Sequence, residues 1–410
     1  MEKNLRAHAY VNYISILFFL VYGVMMLDAS GITYYSDVLM QELGITASQY
    51  STLNAAVWCT KAVSSIVVGI LADRTGLRKW LLVPLLIAAG AFSICTSFAN
   101  SYVAILVLRF MWGMCVGSTL SMLVSIVGKN LVKNDYGFRS GFISCGSAVI
   151  ANTLGPILLT HIVLQFSWRA AFLLTGFLLF VMGLTIQFSV KEVQCEKLAA
   201  TENALKVFWS SLRELCRNRS FMLCLWIGIF ECAAKLAITI FAPLYLTDIM
   251  GIDTELKGTL LSAMGLIYIP VTFVIPALAD RFSGKSVMLV TFVICLLTPL
   301  TMTALEGSVL SVVALVLFGH WAASTVSIFI YMIPGQALPE RLIGTANGLI
   351  MGISVFFGGC IAPLVLGKIA ELDCGIHTIM VVCCAMFIVC ILLTALLKNK
   401  KAASTEAIDG

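Results

Sequence analysis

Charge is what this chain has least of. Only 11% of its 410 residues are Asp, Glu, Lys or Arg, against 60% hydrophobic, and the mean hydropathy is +1.00. A water-soluble globule of that composition would lack the polar surface to cover itself, so the chain belongs in lipid. Other absences narrow the chemistry. There is no glycine-rich phosphate loop, so ion gradients rather than nucleotides must drive any work. The 14 cysteines fall almost wholly inside apolar runs, as at Cys59, Cys115, Cys232 and Cys383-Cys384, without metal-ligand spacing. They read as small packing residues, and no metal, disulfide framework or cofactor is expected. Neither terminus is polar for long enough to form a soluble domain, so an enzyme is not expected. A cleavable signal peptide is also not expected, because the first apolar run is too long and reads as a retained helix.

What the chain has is hydrophobic length. Runs of roughly 20 apolar residues, the length that carries a helix across the hydrocarbon core, can be drawn at 11–36, 49–72, 80–98, 103–126, 140–162, 170–190, 220–247, 257–279, 286–304, 309–332, 344–368 and 376–397. The expected fold class is therefore all-α integral membrane, with twelve transmembrane helices in two pseudo-symmetric six-helix bundles. The bundles are expected at 1–190 and 220–397, joined by a cytoplasmic linker at 191–219 and followed by a tail at 398–410. The linker is polar and mixed in charge, with Phe208, Trp209 and Leu212 on one face of an amphipathic helix predicted to lie on the membrane surface. Nearly all Lys and Arg outside the runs fall on the side that holds the termini and linker. The opposite side holds only Arg169, Lys257 and Lys368. This asymmetry puts both termini in the cytoplasm of a multi-pass protein of the cell membrane. The net charge of +5 is then a topology signal and calls for no nucleic-acid partner.

One signature occurs twice, about half a chain apart: Gly69-Ile-Leu-Ala-Asp73-Arg74-Thr-Gly76-Leu-Arg78-Lys79 and Pro276-Ala-Leu-Ala-Asp280-Arg281-Phe-Ser-Gly284-Lys285. Repetition at that distance in so apolar a chain means two homologous membrane halves. The first copy resembles the G-x-L-A-D-R-x-G-x-R-K loop that the major facilitator superfamily carries between its second and third helices, and the second resembles its counterpart between helices 8 and 9. Arg109-Phe-Met-Trp-Gly113, Gly155-Pro156, Ser167-Trp168-Arg169-Ala-Ala-Phe172 and Gly344-Thr-Ala-Asn347-Gly348 are similar to further patterns of that family. The resemblance implies a transporter working by alternating access. It also implies that Gly69, Asp73, Arg74, Gly76, Arg78, Asp280 and Arg281 form switching latches. Asp73 and Asp280 also read simply as helix-end braces. The stretch from Asp28 through Gly44, Ser48 and Gln49, and Ala242-Pro243-Leu-Tyr245-Leu, resemble the anion:cation symporters, which take up organic acids with protons. Asp28 is followed by Ala29, where many of those proteins carry arginine.

Five charges remain inside the runs: Asp28, Lys61, Arg109, Glu231 and Lys235. A charge in hydrocarbon costs several kcal/mol unless paired or wetted, so each is a functional candidate, and His320 joins them as a group that titrates near neutrality. At about 1.5 Å per residue, Asp28 and Arg109 lie roughly 9–12 Å from one membrane face, whereas Lys61, Lys235 and His320 fall at about 16–19 Å. Asp28 and Arg109 read either as a permanent ion pair or as a proton site beside the arginine. Glu231 and Lys235 share a helix face and can neutralise one another, or Glu231 can take up protons. Lys61 has Trp58 and Asn54 on its stripe and no acid within one turn, which suits an anchor for a carboxylate or phosphate; the alternatives are an interhelical partner such as Asp28, or a lysine held neutral by desolvation.

The assignment expected is Lys61, Lys235, His320, Trp58, Tyr268 and Asn347 for substrate, with Asp28, Arg109 and Glu231 for proton coupling. The function expected is a monomeric secondary transporter moving a small organic anion with protons through the lipid bilayer. The alternative is a proton-coupled drug or metabolite efflux antiporter.

Overall fold

A computed structural model describes residues 2–130, 136–192, 204–372 and 375–397. The predicted tail and residues 193–203 of the predicted linker lie outside the described residues, and the rest of the linker includes the helix α10. Among those residues every regular element is a helix. In chain order they are α1 (Glu2–Tyr34), α2 (Ser36–Leu43), α3 (Ala47–Thr75), α4 (Arg78–Ser97), α5 (Tyr102–Val116), α6 (Thr119–Lys129), α7 (Tyr136–Gly146), α8 (Gly155–Gln165), α9 (Trp168–Ser189), α10 (Ala204–Arg217), α11 (Arg219–Leu244), α12 (Thr254–Arg281), α13 (Gly284–Ala304), α14 (Val309–Phe318), α15 (Ile333–Ala337), α16 (Glu340–Ser354), α17 (Ala362–Ile369) and α18 (Gly375–Ala395). Several join end to end, so that 11 helical stretches are long and apolar enough to cross a membrane. α3 adds a further helix of 29 residues. Each predicted run coincides with one of these helices.

Local chemistry sets the helix ends. Gly44 closes α2 and Gly76 closes α3 in the left-handed region, at φ 60° and 68°, where a side chain would be strained. Thr46 and Gln49 form a reciprocal capping box at the start of α3. Proline shapes the interior. Pro156 and Pro363 cannot donate to the carbonyls one turn back, and each is preceded by a π-helical stretch, Ser147–Leu154 and Val355–Ile361, where the wider turn absorbs the lost bond.

The chain forms two compact units: Met1–Ala200 with Gly251–Leu266, and Thr201–Met250 with Ile267–Gly410. In the first, α4 and α9 touch backbone to backbone at Gly90 and Gly176, where an added Cβ would come 2.7 and 2.8 Å from the facing carbonyl oxygens. Lys79, ending the first signature, donates to the Gln187 carbonyl at the close of α9 (2.7 Å). In the second unit Lys285, ending the second signature, donates to the Ala395 and Leu397 carbonyls at the close of α18 (2.7 Å each). Each signature therefore caps the last membrane helix of its own unit, where carbonyls are unsatisfied and the helix dipole favours a cation.

The first unit also incorporates the start of α12. Gly258, Ser262 and Gly265 lie on one helix face. A Cβ on Gly265 would drive into the Asn152 backbone, one on Gly258 would come 2.8 Å from Thr160 Oγ1, and Ser262 Oγ accepts from the Ile157 amide at 3.1 Å. At the head of this seam the fully buried Lys257 donates to Asp37 Oδ1 at 2.5 Å, and Thr254 donates to Asp37 Oδ2 at 2.6 Å. Burial pushes the Asp37 carboxyl up, but the Lys257 ammonium and the hydrogen bonds from Lys257, Thr254 and the Val38 amide outweigh it and hold the group below its ordinary 3.8. A depressed carboxylate stabilises the fold fully above its ordinary value, and that stability is lost as pH falls through the lower folded value. Asp37→Asn is therefore expected to melt below the parent at neutral pH, with the two melting curves converging in acid. A gap independent of pH would show that the ionised carboxylate contributes nothing.

Candidate functional site

In the first unit, Asp28 and Arg109 meet. Asp28 sits on α1 with only 1% of its surface exposed, and Arg109 on α5 with none. Arg109 Nη1 donates to Asp28 Oδ1 at 2.6 Å, and Nη2 reaches the Asp28 carbonyl at 3.3 Å. The other carboxylate oxygen accepts from Thr175 Oγ1 at 2.7 Å and from Ser93 Oγ. Ser93 and Thr175 flank the Gly90–Gly176 contact, so the glycines that draw α4 and α9 together also deliver both hydroxyls to the carboxylate. The guanidinium lies 4.3 Å from the Phe172 ring centre and 5.5 Å from that of Trp112. A carboxylate with three side-chain donors and no access to water fits the permanent pair better than the proton site.

Lys61 stands on a different face. It is half-buried on α3, its ammonium 4.8 Å from the Trp58 ring centre and 3.4 Å from Met26 Sδ of α1. Among the described residues no carboxylate pairs with it within 4.0 Å. Neighbouring polar groups of α3 donate to main-chain carbonyls. Asn54 Nδ2 donates to Tyr50 (3.2 Å), Thr60 Oγ1 to Ala56 (2.7 Å), Ser65 Oγ to Ala62 (2.7 Å), and Ser64 Oγ to Met114 of α5. Behind Lys61, Gly113 and Gly117 let the α5 backbone close on α3 at Thr60 and at the Lys61 carbonyl.

In the second unit, the buried Glu231 lies 3.1 Å from Lys235 one turn along α11. Tyr268 on α12 and His320 approach with ring centres 5.6 Å apart, and Lys235 lies within electrostatic reach of both. His320 occupies a break in a membrane helix, between the end of α14 and a 3₁₀ turn over Trp321–Thr325. Such interruptions are tolerated in a membrane where the freed backbone is buried in protein or lines a cavity. Asn347 on α16 stands apart from this cluster. Its side-chain amide lies against the Ile343 and Ile330 carbonyls, to which its nitrogen donates at 3.1 and 2.6 Å once the amide is turned to face them.

Of the signature residues, Gly76 ends α3, Arg78 opens α4, Gly69 faces Ser118 Oγ, and Asp280 and Arg281 close α12 exposed. The side chains of Asp73 and Arg74 lie outside the described residues. The Trp168-Arg169 motif is structural. Trp168 Nε1 donates to Glu42 Oε2 at 2.7 Å, and Arg169 pairs with the other Glu42 oxygen and reaches Asn100 Oδ1 at 3.2 Å. Sequence reasoning missed Met26, Ser93, Thr175 and the Asp37–Lys257 pair. A hydroxyl beside a glycine in two packed spans is the one signal that could have pointed to Ser93 and Thr175.

Helices long and apolar enough to cross a membrane, carrying buried ion pairs and a helix break among the described residues, are the architecture of a multi-pass membrane protein. Residues 18–363 match the family model of the Major Facilitator Superfamily, and the chain belongs to that family. It is a transporter and not an enzyme. The "Probable sulfoacetate transporter SauU" of Cupriavidus necator is 29% identical over 157 residues, covering 38% of this chain and about a third, 36%, of that protein. The "Multidrug resistance protein MdtL" of Klebsiella pneumoniae is 24% identical over 299 residues, covering 72% of this chain and 74% of that one. The crystal structure of the nucleoside transporter NupG (D323A mutant) superposes with a TM-score of 0.78 at 14% identity, over 94% of this chain and 100% of that one, and so shares the fold.

Proposed function

We propose that this protein moves a small organic anion, a carboxylate, across the cell membrane together with protons, by alternating access, with Lys61 as the anion anchor. One observation carries the reading: an ammonium held deep in a membrane helix with a thioether and an indole face as its contacts and no acid among the described residues to balance it. Such a cation is stabilised when a carboxylate completes the pair. The likeness to the sulfoacetate transporter supports an anionic substrate, though sulfoacetate carries two negative charges and so says nothing for a single-charge limit. In this reading Glu231 is the proton site, since protonation would release Lys235 beside Tyr268 and His320. The termini face the cytoplasm in this reading, which the distribution of Lys and Arg supports.

Uptake of radiolabelled organic acids into proteoliposomes, with and without an inward proton gradient, tests this. Accumulation of an acid that depends on the gradient supports anion and proton symport. Proton-driven expulsion of lipophilic cations, with no acid moved, would replace it with the efflux reading that the multidrug relative favours.

A further inference from the structure

We propose that the Lys61 site accepts one negative charge on an apolar body, and so selects aromatic or alkyl monocarboxylates over dianions and over polyhydroxylated acids. The inference rests on the reading of Lys61 as an anion anchor. Of the charges inside the membrane helices, Asp28 is bonded to Arg109 and Glu231 faces Lys235. Each pair is neutral in sum. Lys61 is thus the one membrane-buried charge left over among the described residues, and a single carboxylate balances it. A second carboxylate would enter the same low-dielectric region with no cation to meet it, at the full cost of an unpaired buried charge.

The body of the ligand is defined by what surrounds the ammonium. Trp58 presents its ring face and Met26 its thioether, both apolar and both half-buried alongside Lys61. An aromatic ring or alkyl chain gains area and ring contacts there. Hydroxyl groups gain less, because Asn54, Thr60 and Ser64 are buried and donate to main-chain carbonyls, which leaves the exposed Ser65 hydroxyl, itself donating to the Ala62 carbonyl, as the nearest polar side chain of α3. A polyhydroxylated acid would lose more hydration than these groups replace.

Thermal-shift titrations of the purified full-length protein in detergent decide the matter, with benzoate, terephthalate, gluconate and neutral benzamide as probes. Benzoate should stabilise at a half-saturating concentration at least about tenfold below those of terephthalate and gluconate, a difference of about 1.4 kcal/mol. Benzamide should not stabilise the protein. Trp58→Ala should weaken benzoate several-fold, and Lys61→Gln should remove its effect. If terephthalate or gluconate binds as tightly as benzoate and still depends on Lys61, the anchor stands and the one-charge, apolar-body selection is overturned. If no acid stabilises the protein, or benzoate acts equally on Lys61→Gln, the anchor reading falls and this inference falls with it. The comparison among probes needs only the parent protein, so it holds even where a variant fails to fold.

Discussion

Lys61→Gln should lower affinity for the transported anion by roughly 10- to 150-fold, the equivalent of the ~1.5–3 kcal/mol that a hydrogen bond to a charged group contributes. Glutamine keeps most of the length and a donor but removes the charge, so the loss measures the ionic part of recognition. Folding should be nearly unaffected or improved, because the substitution takes an unpaired charge out of the membrane and leaves the contacts behind it intact. Those contacts, at Gly113 and Gly117, are made by the α3 main chain and Thr60 rather than by the Lys61 side chain. Binding measured by thermal shift, with uptake in proteoliposomes beside it, checks both parts. Parent-like affinity in this variant would remove Lys61 from the substrate site. Loss of fold would instead mark it as a structural cation.

Asp28→Asn is expected to act in the opposite way, on stability first. The carboxylate receives Arg109, Ser93 and Thr175, all of which donate. An amide offers one acceptor where two stood and turns an NH₂ group toward a donor, while the fully buried guanidinium is left without its counter-ion. Removing one partner of a buried pair costs about 3–5 kcal/mol. A lower melting temperature and poor yield in detergent should result. The double variant Asp28→Asn with Arg109→Gln should recover part of the loss, because the two residues act as one unit. A variant that melts with the parent but transports without regard to the pH gradient would reverse the conclusion and make Asp28 the proton carrier.

The two substitutions separate what was legible in the sequence from what was not. Membrane helices announce themselves by hydropathy, and a charge inside one stands out against an apolar background, so Asp28, Lys61, Arg109, Glu231 and Lys235 were all visible. Their partners were visible only where they too were charged. Ser93 and Thr175 are single hydroxyls in long apolar runs, and their one local sign, a nearby glycine, is shared by Thr185, which bonds back to its own helix. Met26 reads as core. Asp37 lies just beyond the first membrane helix and Lys257 at the edge of another, so each passes for a loop charge until tertiary packing brings them to 2.5 Å. Pro156 and Pro363 foretold irregular helices, but that the irregularity takes the form of π turns depends on packing against other helices, which no local pattern records.

The membership of the α12 start in the first unit bears on how the protein is made. Ribosomes deliver residues 1–200 well before residues 251–266, so the nascent first unit waits in the bilayer with the Asp37 carboxylate unmet and the surface at Asn152 and Thr160 uncovered. Its completion is delayed until α11 and the head of α12 have been inserted. A chain ending before α12 would leave the Asp37 carboxylate without Lys257 and the backbone at Asn152 without its cover.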